Sequence, residues 1–223
     1  MKIIGHRGAQ GLAPENTLVS IEHALNHGVD EVEFDVRVTK DHVPVLSHDD
    51  ALQVGDQHIP IATHTVQELR KYKADLVSLD GALNFIEARA SVYIEIKPGE
   101  PVKPIIKVLN EYLESGMYTT HNVSIASFSQ KTLLDAHRLT PEIDKVVISR
   151  WSSVWATLRA RQVNTKRISL NQRWLWRGFL RGMQRGGWKI SPYTINDVER
   201  ANKWRPYVYG IITDQPDLFE DRP

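Results

Sequence analysis

The sequence contains no cysteine among its 223 residues. Disulfides and thiolate metal sites are therefore excluded, and any metal must be held by oxygen or imidazole ligands. There is little net charge: 28 Lys and Arg against 27 Asp and Glu leave +1, so the molecule as a whole is no electrostatic match for nucleic acid. Long apolar runs are also missing. No stretch approaches the roughly 20 apolar residues of a membrane span. The opening Met1-Lys2-Ile3-Ile4 gives way to Gly5-His6-Arg7, short of the roughly 7–15 apolar residues of a secretion signal. The expectation is a soluble, cytoplasmic protein. Apolar residues make up 41% and charged residues 25%, which suits a globular chain with one sizeable core. No repeat or linker interrupts it, so residues 1–223 read as a single domain.

Short apolar runs alternate with helical patterns, the mark of βα units. Strands are predicted at residues 2–5, 31–36, 44–47, 92–96, 123–126, 145–148, 167–170, 188–193 and 208–212. Helices are predicted at 14–27, 66–72, 83–90, 102–114, 130–139, 153–161, 173–185 and 197–204. The fold class is α/β, and a (β/α)8 TIM barrel takes eight strands, one fewer than the candidates. The extra one is 44–47. Only residues 37–43 separate it from the strand before, with Val38 continuing that strand's alternation and Thr39-Lys40-Asp41-His42 reading as a turn; that is too little for a helix, so a β-hairpin after the second strand is expected. A turn centred near residues 40–41 sets Ser47 and His48 opposite Phe34 and Glu33.

Glu33 and Asp35 lie two apart on an otherwise apolar strand, so both face one side. Carboxylates facing a barrel interior are costly unless paired or bound to metal. Glu95 and Lys97 repeat the pattern before Pro98 ends their strand. Three converging carboxylates are hard oxygen ligands suited to Mg²⁺ or Ca²⁺; zinc stays open because histidines are near. His6 and Arg7 follow the first strand between Gly5 and Gly8. An arginine fork matches phosphate oxygens, and a histidine exchanges protons near neutral pH. A second His-Asp pair, His48-Asp49, ends another strand. Catalytic groups of such barrels gather at strand C-termini, and this set holds the parts of phosphoryl-ester cleavage.

At these residues the chain resembles the glycerophosphodiester phosphodiesterase family. The match runs through His6-Arg7-Gly8, Pro14-Glu15-Asn16-Thr17, Glu33-Phe34-Asp35, His48-Asp49 and Glu95-Ile96-Lys97. It continues in Ser127-Phe128, Tyr193-Thr194-Ile195-Asn196 and Gly210-Ile211-Ile212-Thr213-Asp214, spanning nearly the whole chain. The resemblance implies a divalent cation, Mg²⁺ or Ca²⁺ with Mn²⁺ admissible, on Glu33, Asp35 and Glu95. It implies His6 and His48 as general base and acid, without saying which is which, and Arg7 and Lys97 on the phosphate. Ser127 and Tyr193 are assigned to the substrate pocket, with strand-end capping the competing role for Ser127. The implied reaction is hydrolysis of glycerophosphodiesters to glycerol 3-phosphate and an alcohol, by water or through a cyclic phosphate. Two departures touch specificity. Tyr193 stands where many members have Trp, and Ala51-Leu52-Gln53-Val54-Gly55 replaces the Arg-Thr-Thr that often follows His-Asp.

Residues 145–196 carry eleven Lys and Arg, no acid, and Trp151, Trp155, Trp174, Trp176 and Trp188. Arg173, Arg177, Arg181 and Arg185 fall at helical i, i+4 spacing. Solvated helix faces account for this composition; contact with an anionic membrane is the functional alternative. It pairs with a lysophospholipase D activity on lipids that keep one acyl chain. A non-catalytic binding protein is the third reading, and the full set of histidines and acids argues against it. Of the other histidines, His23, His27, His58, His64, His121 and His137 lack converging carboxylates and are expected to be structural or exposed.

Overall fold

The computed structural model of the chain describes residues 1–220. In chain order its strands are β1 (Lys2–Gly5), β2 (Glu31–Val38), β3 (Pro44–Leu46), β4 (Ala51–Val54), β5 (Gln57–Pro60), β6 (Ser91–Ile96), β7 (Val123–Ser127), β8 (Asp144–Ser149), β9 (Arg167–Asn171), β10 (Lys189–Tyr193) and β11 (Gly210–Thr213). Eight of them, all but β3, β4 and β5, pair in parallel and close into a ring. β1 seals it, pairing Lys2 with Gly210 on one side and Ile4 with Glu31 on the other. The helices are α1 (Leu18–Asn26), α2 (Val66–Tyr72), α3 (Leu79–Ile86), α4 (Val102–Glu114), α5 (Gln130–Leu139), α6 (Ser153–Gln162), α7 (Arg177–Arg185) and α8 (Val198–Trp204). This is the TIM barrel expected from the strand count. Among the described residues, no helix is long and apolar enough to cross a membrane.

Period two divides each strand between two cores. Outward residues such as Phe34, Ile94 and Ile168 are fully buried against the helices. Inward residues Ile4, Tyr93, Ala126, Val146, Ile148 and Ile212 fill the barrel. Below this plug, at the strand N-termini, Glu31 accepts from Lys2 and Arg167 at 2.8 Å each and from the Tyr209 hydroxyl at 2.6 Å. Burial alone would raise the Glu31 carboxyl, but Arg167 and Lys2 hold it below its ordinary range. Above the plug the inward positions turn polar, and there the site forms.

Several expectations need correction. The β2–β3 hairpin exists, but its register pairs Val36 with Leu46 and Val38 with Pro44. Ser47 N–H donates to the Asp35 carbonyl at 3.1 Å, so Ser47 stands opposite Asp35, one residue from the expected alignment. The cause is a longer turn. Thr39 N–H donates to the Val43 carbonyl, and His42 takes a left-handed φ of 61°, centring the turn on Asp41. Beyond His48-Asp49, where Ala51-Leu52-Gln53-Val54-Gly55 departs from the family pattern, the chain forms the β4–β5 hairpin, turned at Gly55 with φ 58°. α1 starts only at Leu18, with Thr17 as its cap in a capping box with Ser20. Asn16 before it is left-handed at φ 56°. Helix 83–90 is α3, which starts four residues earlier behind the Ser78 cap. Helix 173–185 begins at Arg177, because Arg173 sits in a separate 3-10 turn (Gln172–Trp174). The four-arginine stripe is thus three residues long. Two cations of the basic segment are internal. Arg167 lies in the barrel floor, and Lys145 Nζ donates to the Thr140 and Ile143 carbonyls. Burial pulls the Lys145 amine down to about 8.

Candidate active site

A cavity of about 390 Å³ opens at the C-terminal end of the barrel. It is lined by six of the seven chemically assigned side chains: His6, Arg7, Glu33, His48, Glu95 and Lys97. Asp35, the seventh, is buried directly beneath and bonded to Lys97.

The first wall is a backbone device. His6 N–H donates to the Thr213 carbonyl, carrying the β1–β11 ladder one residue past the strand. Arg7 then takes a left-handed φ of 49° and Gly8 a φ of 83°. A Cβ at Gly8 would lie 2.4 Å from Ser20 Oγ and 2.6 Å from the Ser20 backbone, so only glycine fits this turn. The turn aims the Arg7 backbone N–H at Glu33 Oε2, 2.8 Å away.

Glu33 and Asp35 on β2 and Glu95 on β6 bring carboxylate oxygens within 4.8 Å of one another. Asp35 pairs with Glu95 in the parallel register. Burial, and then the Asp35 charge, push the Glu33 carboxyl up to about 8. Burial likewise raises Glu95. Asp35 goes the other way: Lys97 and Arg7 outweigh its burial and hold it low. Lys97 Nζ sits between Asp35 Oδ1 at 2.5 Å and Glu95 Oε1 at 2.6 Å. Arg7 places Nε 3.1 Å from Asp35 Oδ2, close in charge but without hydrogen-bond alignment, and donates Nη1 to Glu15 at 2.5 Å. Three buried acids sharing two cations, with one acid driven neutral, form a donor set that fits a hard divalent ion.

Each histidine has its Nδ1 engaged by an acid. His6 Nδ1 lies 2.6 Å from Asp214 Oδ1, and Gln10 also donates to that oxygen at 2.5 Å. Burial would lower the His6 imidazole, but Asp214 and Glu33 together raise it. Asp214 falls to about 2, its burial outweighed by bonds from His6, Gln10 and Asn196. His48 Nδ1 lies 2.8 Å from Asp49 Oδ1, on the loop that follows β3. With Nδ1 occupied, Nε2 of each ring is left to meet a reactant.

Tyr193 lines the cavity, its ring edge-on to Phe128 and its hydroxyl donating to the Ser149 carbonyl. Ser127 does not. It is fully buried, donates to the Ile96 carbonyl at 2.7 Å and accepts from Ser129 N–H at 3.0 Å. That is the capping role, and Phe128 takes its place in the wall. Sequence reasoning gave no role to four residues that matter here. Asn16 clamps Asp35, donating to its Oδ2 at 3.0 Å and accepting its N–H at 3.1 Å. Asp214 and Gln10 orient His6. Arg150 lines the cavity with its guanidinium over the Phe128 ring. Asp214 was within reach of the period-two rule, because it follows the inward-facing Ile212 by two residues; Asn16 sits in a left-handed turn that no strand or helix period describes.

A parallel barrel with a buried acid cluster, two acid-held imidazoles and two cations at its C-terminal mouth is the architecture of a phosphoester-cleaving enzyme. The model of the glycerophosphoryl diester phosphodiesterase family matches residues 6–218, and the chain belongs to that family. It is a phosphoric diester hydrolase. It is similar to a glycerophosphodiester phosphodiesterase of Bacillus subtilis, 26% identical over 97% of this chain and 84% of that protein. A human lysophospholipase D is 33% identical over 50% of this chain and 38% of its own length. Among solved structures, an Oleispira antarctica phosphodiesterase in complex with the product sn-glycerol-3-phosphate superposes with TM-score 0.86 and 26% identity. That match covers 99% of this chain and 95% of the other.

Proposed function

We propose that the chain works as one catalytic domain, in the cytoplasm, hydrolysing glycerophosphodiesters to sn-glycerol 3-phosphate and an alcohol. The observation that carries this is the convergence of Glu33, Glu95, His6, His48, Arg7 and Lys97 on one cavity. The small-molecule product held by the Oleispira antarctica relative supports the same substrate class. Glu33, Asp35 and Glu95 would hold a divalent cation, Mg²⁺ or Ca²⁺ with Mn²⁺ admissible, which supplies positive charge to a phosphoryl oxygen.

The chain's own groups do the rest. Arg7 and Lys97 are the cations nearest the acid cluster and would face the phosphate. One imidazole takes the proton of the attacking hydroxyl through Nε2, and the other gives a proton to the departing alkoxide. Asp214 and Asp49 fix the two rings by their Nδ1 atoms. Tyr193 and Phe128 shape the wall near the substrate.

The deciding experiment measures glycerol 3-phosphate release from a panel of glycerophosphodiesters, with EDTA and with Mg²⁺, Ca²⁺ or Mn²⁺ returned. Release that needs the cation is expected, and no cation-dependent release from any substrate overturns the reading. His6→Ala and His48→Ala should each lower turnover by roughly 10²–10⁴-fold. Near-normal rates in both would remove the acid–base assignment. Incorporation of oxygen-18 from water, with a search for a cyclic product, separates water attack from attack by the glycerol 2-hydroxyl.

A further inference from the structure

One basic side chain of the catalytic cavity has no part in the chemistry described above. Arg150 lines the cavity from the first residue after β8. In the closed ring β8 stands four strands from β1 in either direction, so Arg150 lies across the mouth from His6 and Arg7. Its guanidinium is 5.2 Å from the Phe128 ring centre. Phe128 is edge-on to Tyr193, and the Tyr193 hydroxyl donates to the Ser149 carbonyl at 3.2 Å, next to Arg150 in the chain. This stack holds the guanidinium in place without using its N–H groups.

The other basic groups of the cavity already have acids beside them. Arg7 has Asp35 and Glu15, Lys97 has Asp35 and Glu95, His6 has Asp214, and His48 has Asp49. Arg150 has no acid partner among the described residues, and the stretch 145–196 around it contains no Asp or Glu. Asn171 lines the same cavity. Its Oδ1 accepts the Arg173 N–H at 3.0 Å, and its amide N–H groups meet no acceptor among the described residues. An unspent guanidinium fork beside an unspent amide is matched by an oxyanion. The reacting phosphoryl group belongs to the opposite wall, with Arg7, Lys97 and the acid cluster. Glycerol is uncharged, so a second anion must come with the alcohol. We propose that Arg150 is a specificity-determining residue that, with Asn171, binds a carboxylate or phosphate group carried by the leaving alcohol. The enzyme then favours diesters of anionic alcohols over those of neutral or cationic ones. The reaction itself is unchanged, and the inference rests on the hydrolytic reading above.

The test sets glycerophosphodiesters in competition for the full-length enzyme with saturating divalent cation. Each kcat/KM ratio is then independent of how much enzyme is active. The alcohols are 4-hydroxybutanoate, butane-1,4-diol monophosphate, 1-butanol and 4-aminobutanol, whose shared spacer keeps the reactivity of the leaving oxygen nearly equal. In the unmodified enzyme an anionic alcohol should be favoured over the ammonium one by about tenfold or more at low salt. The ratio should shrink as salt is added. Whichever of carboxylate and phosphate leads identifies the group that is bound. Arg150→Gln should bring the ratio close to one, Arg150→Lys should keep its sign, and Arg150→Glu should reverse it. A ratio near one in the unmodified enzyme overturns the proposal without any variant. So does a ratio that survives Arg150→Gln. An equal loss on all four substrates in folded Arg150→Gln protein would place Arg150 on the phosphate they share, and also overturns it. Failure of the unmodified enzyme to release glycerol 3-phosphate from any diester would instead sink the function on which it rests.

Discussion

At the scale of single residues, the site is a balance of buried acids against few cations, and its weakest member is Glu33. Without a divalent ion, its carboxyl sits at about 8 because burial and Asp35 oppose ionisation. An unfolded glutamate loses its proton near 4.5. Between those values the folded state binds more protons than the unfolded one, so stability falls as pH rises through that window. The metal-free protein should therefore melt at lower temperature at pH 8 than at pH 5, and Glu33→Gln should remove most of that slope. Saturating Mg²⁺ or Ca²⁺ should raise the melting temperature most at the alkaline end. A pH-independent melting curve in EDTA would contradict this account. His6 gives a second residue-scale prediction. Its bond to Asp214 helps hold its proton, so Asp214→Asn should move the pH-profile limb belonging to His6 to lower pH. A cost of roughly 10- to 100-fold in kcat is expected, as for other orienting partners of functional imidazoles. An unmoved limb with full kcat would show that Asp214 merely fills space.

At the scale of elements, the β2–β3 hairpin and its continuation carry the second histidine, and one side chain ties them together. Arg37 on β2 donates through Nη2 to the His48 carbonyl at 3.0 Å and through Nη1 to Glu100 at 3.1 Å. Glu100 also accepts the Val38 N–H at 3.0 Å. Arg37→Gln should loosen His48 without touching the metal ligands, lowering kcat about tenfold or more with little change in KM. A KM effect with full kcat would place Arg37 in substrate binding instead. The ring of parallel strands was readable because each strand is a short β-rich run whose neighbours are helical in period. Glu33, Asp35, Glu95 and Lys97 were readable because period two puts them on one face. The hairpin was readable in kind but not in register, since a left-handed His42 adds one residue to the turn. The β4–β5 hairpin was not legible because its two four-residue strands, Ala51–Val54 and Gln57–Pro60, are half exposed and show no clear apolar alternation. Ser127 was misplaced for a related reason: a strand-end serine can cap or line a pocket, and only the bonds to Ile96 and Ser129 decide.

At the scale of the whole molecule, charge is concentrated at both ends of the barrel, and the two ends have different duties. In these barrels the C-terminal face carries chemistry and the N-terminal face stability. Here the N-terminal floor is the group of Glu31, Lys2, Arg167 and Tyr209, with the Arg167 guanidinium 4.6 Å from the Tyr209 ring centre. Glu31 and Arg167 are both buried, while Lys2 is partly exposed and adds less. Removing the acid would leave the Arg167 charge buried and, among the described residues, paired only with Asp144 at 3.7 Å. Glu31→Gln should therefore destabilise the fold by about 3–5 kcal/mol, as when one partner of a buried ion pair is lost. Because the folded carboxyl is held below its unfolded value, its contribution is present at neutral pH and disappears as pH falls through the folded pKa. The variant should thus lose most stability at pH 7 and converge on the parent in acid, while kcat at low temperature stays at the parental value. Denaturant melts at pH 7 and at successively lower pH below 4.5, set beside rates at 20 °C or below, distinguish the outcomes. Equal stability at pH 7 would mean that the floor ion group does not hold the barrel together. A loss of kcat in still-folded protein would mean that the two ends are coupled through the Tyr93 layer between them.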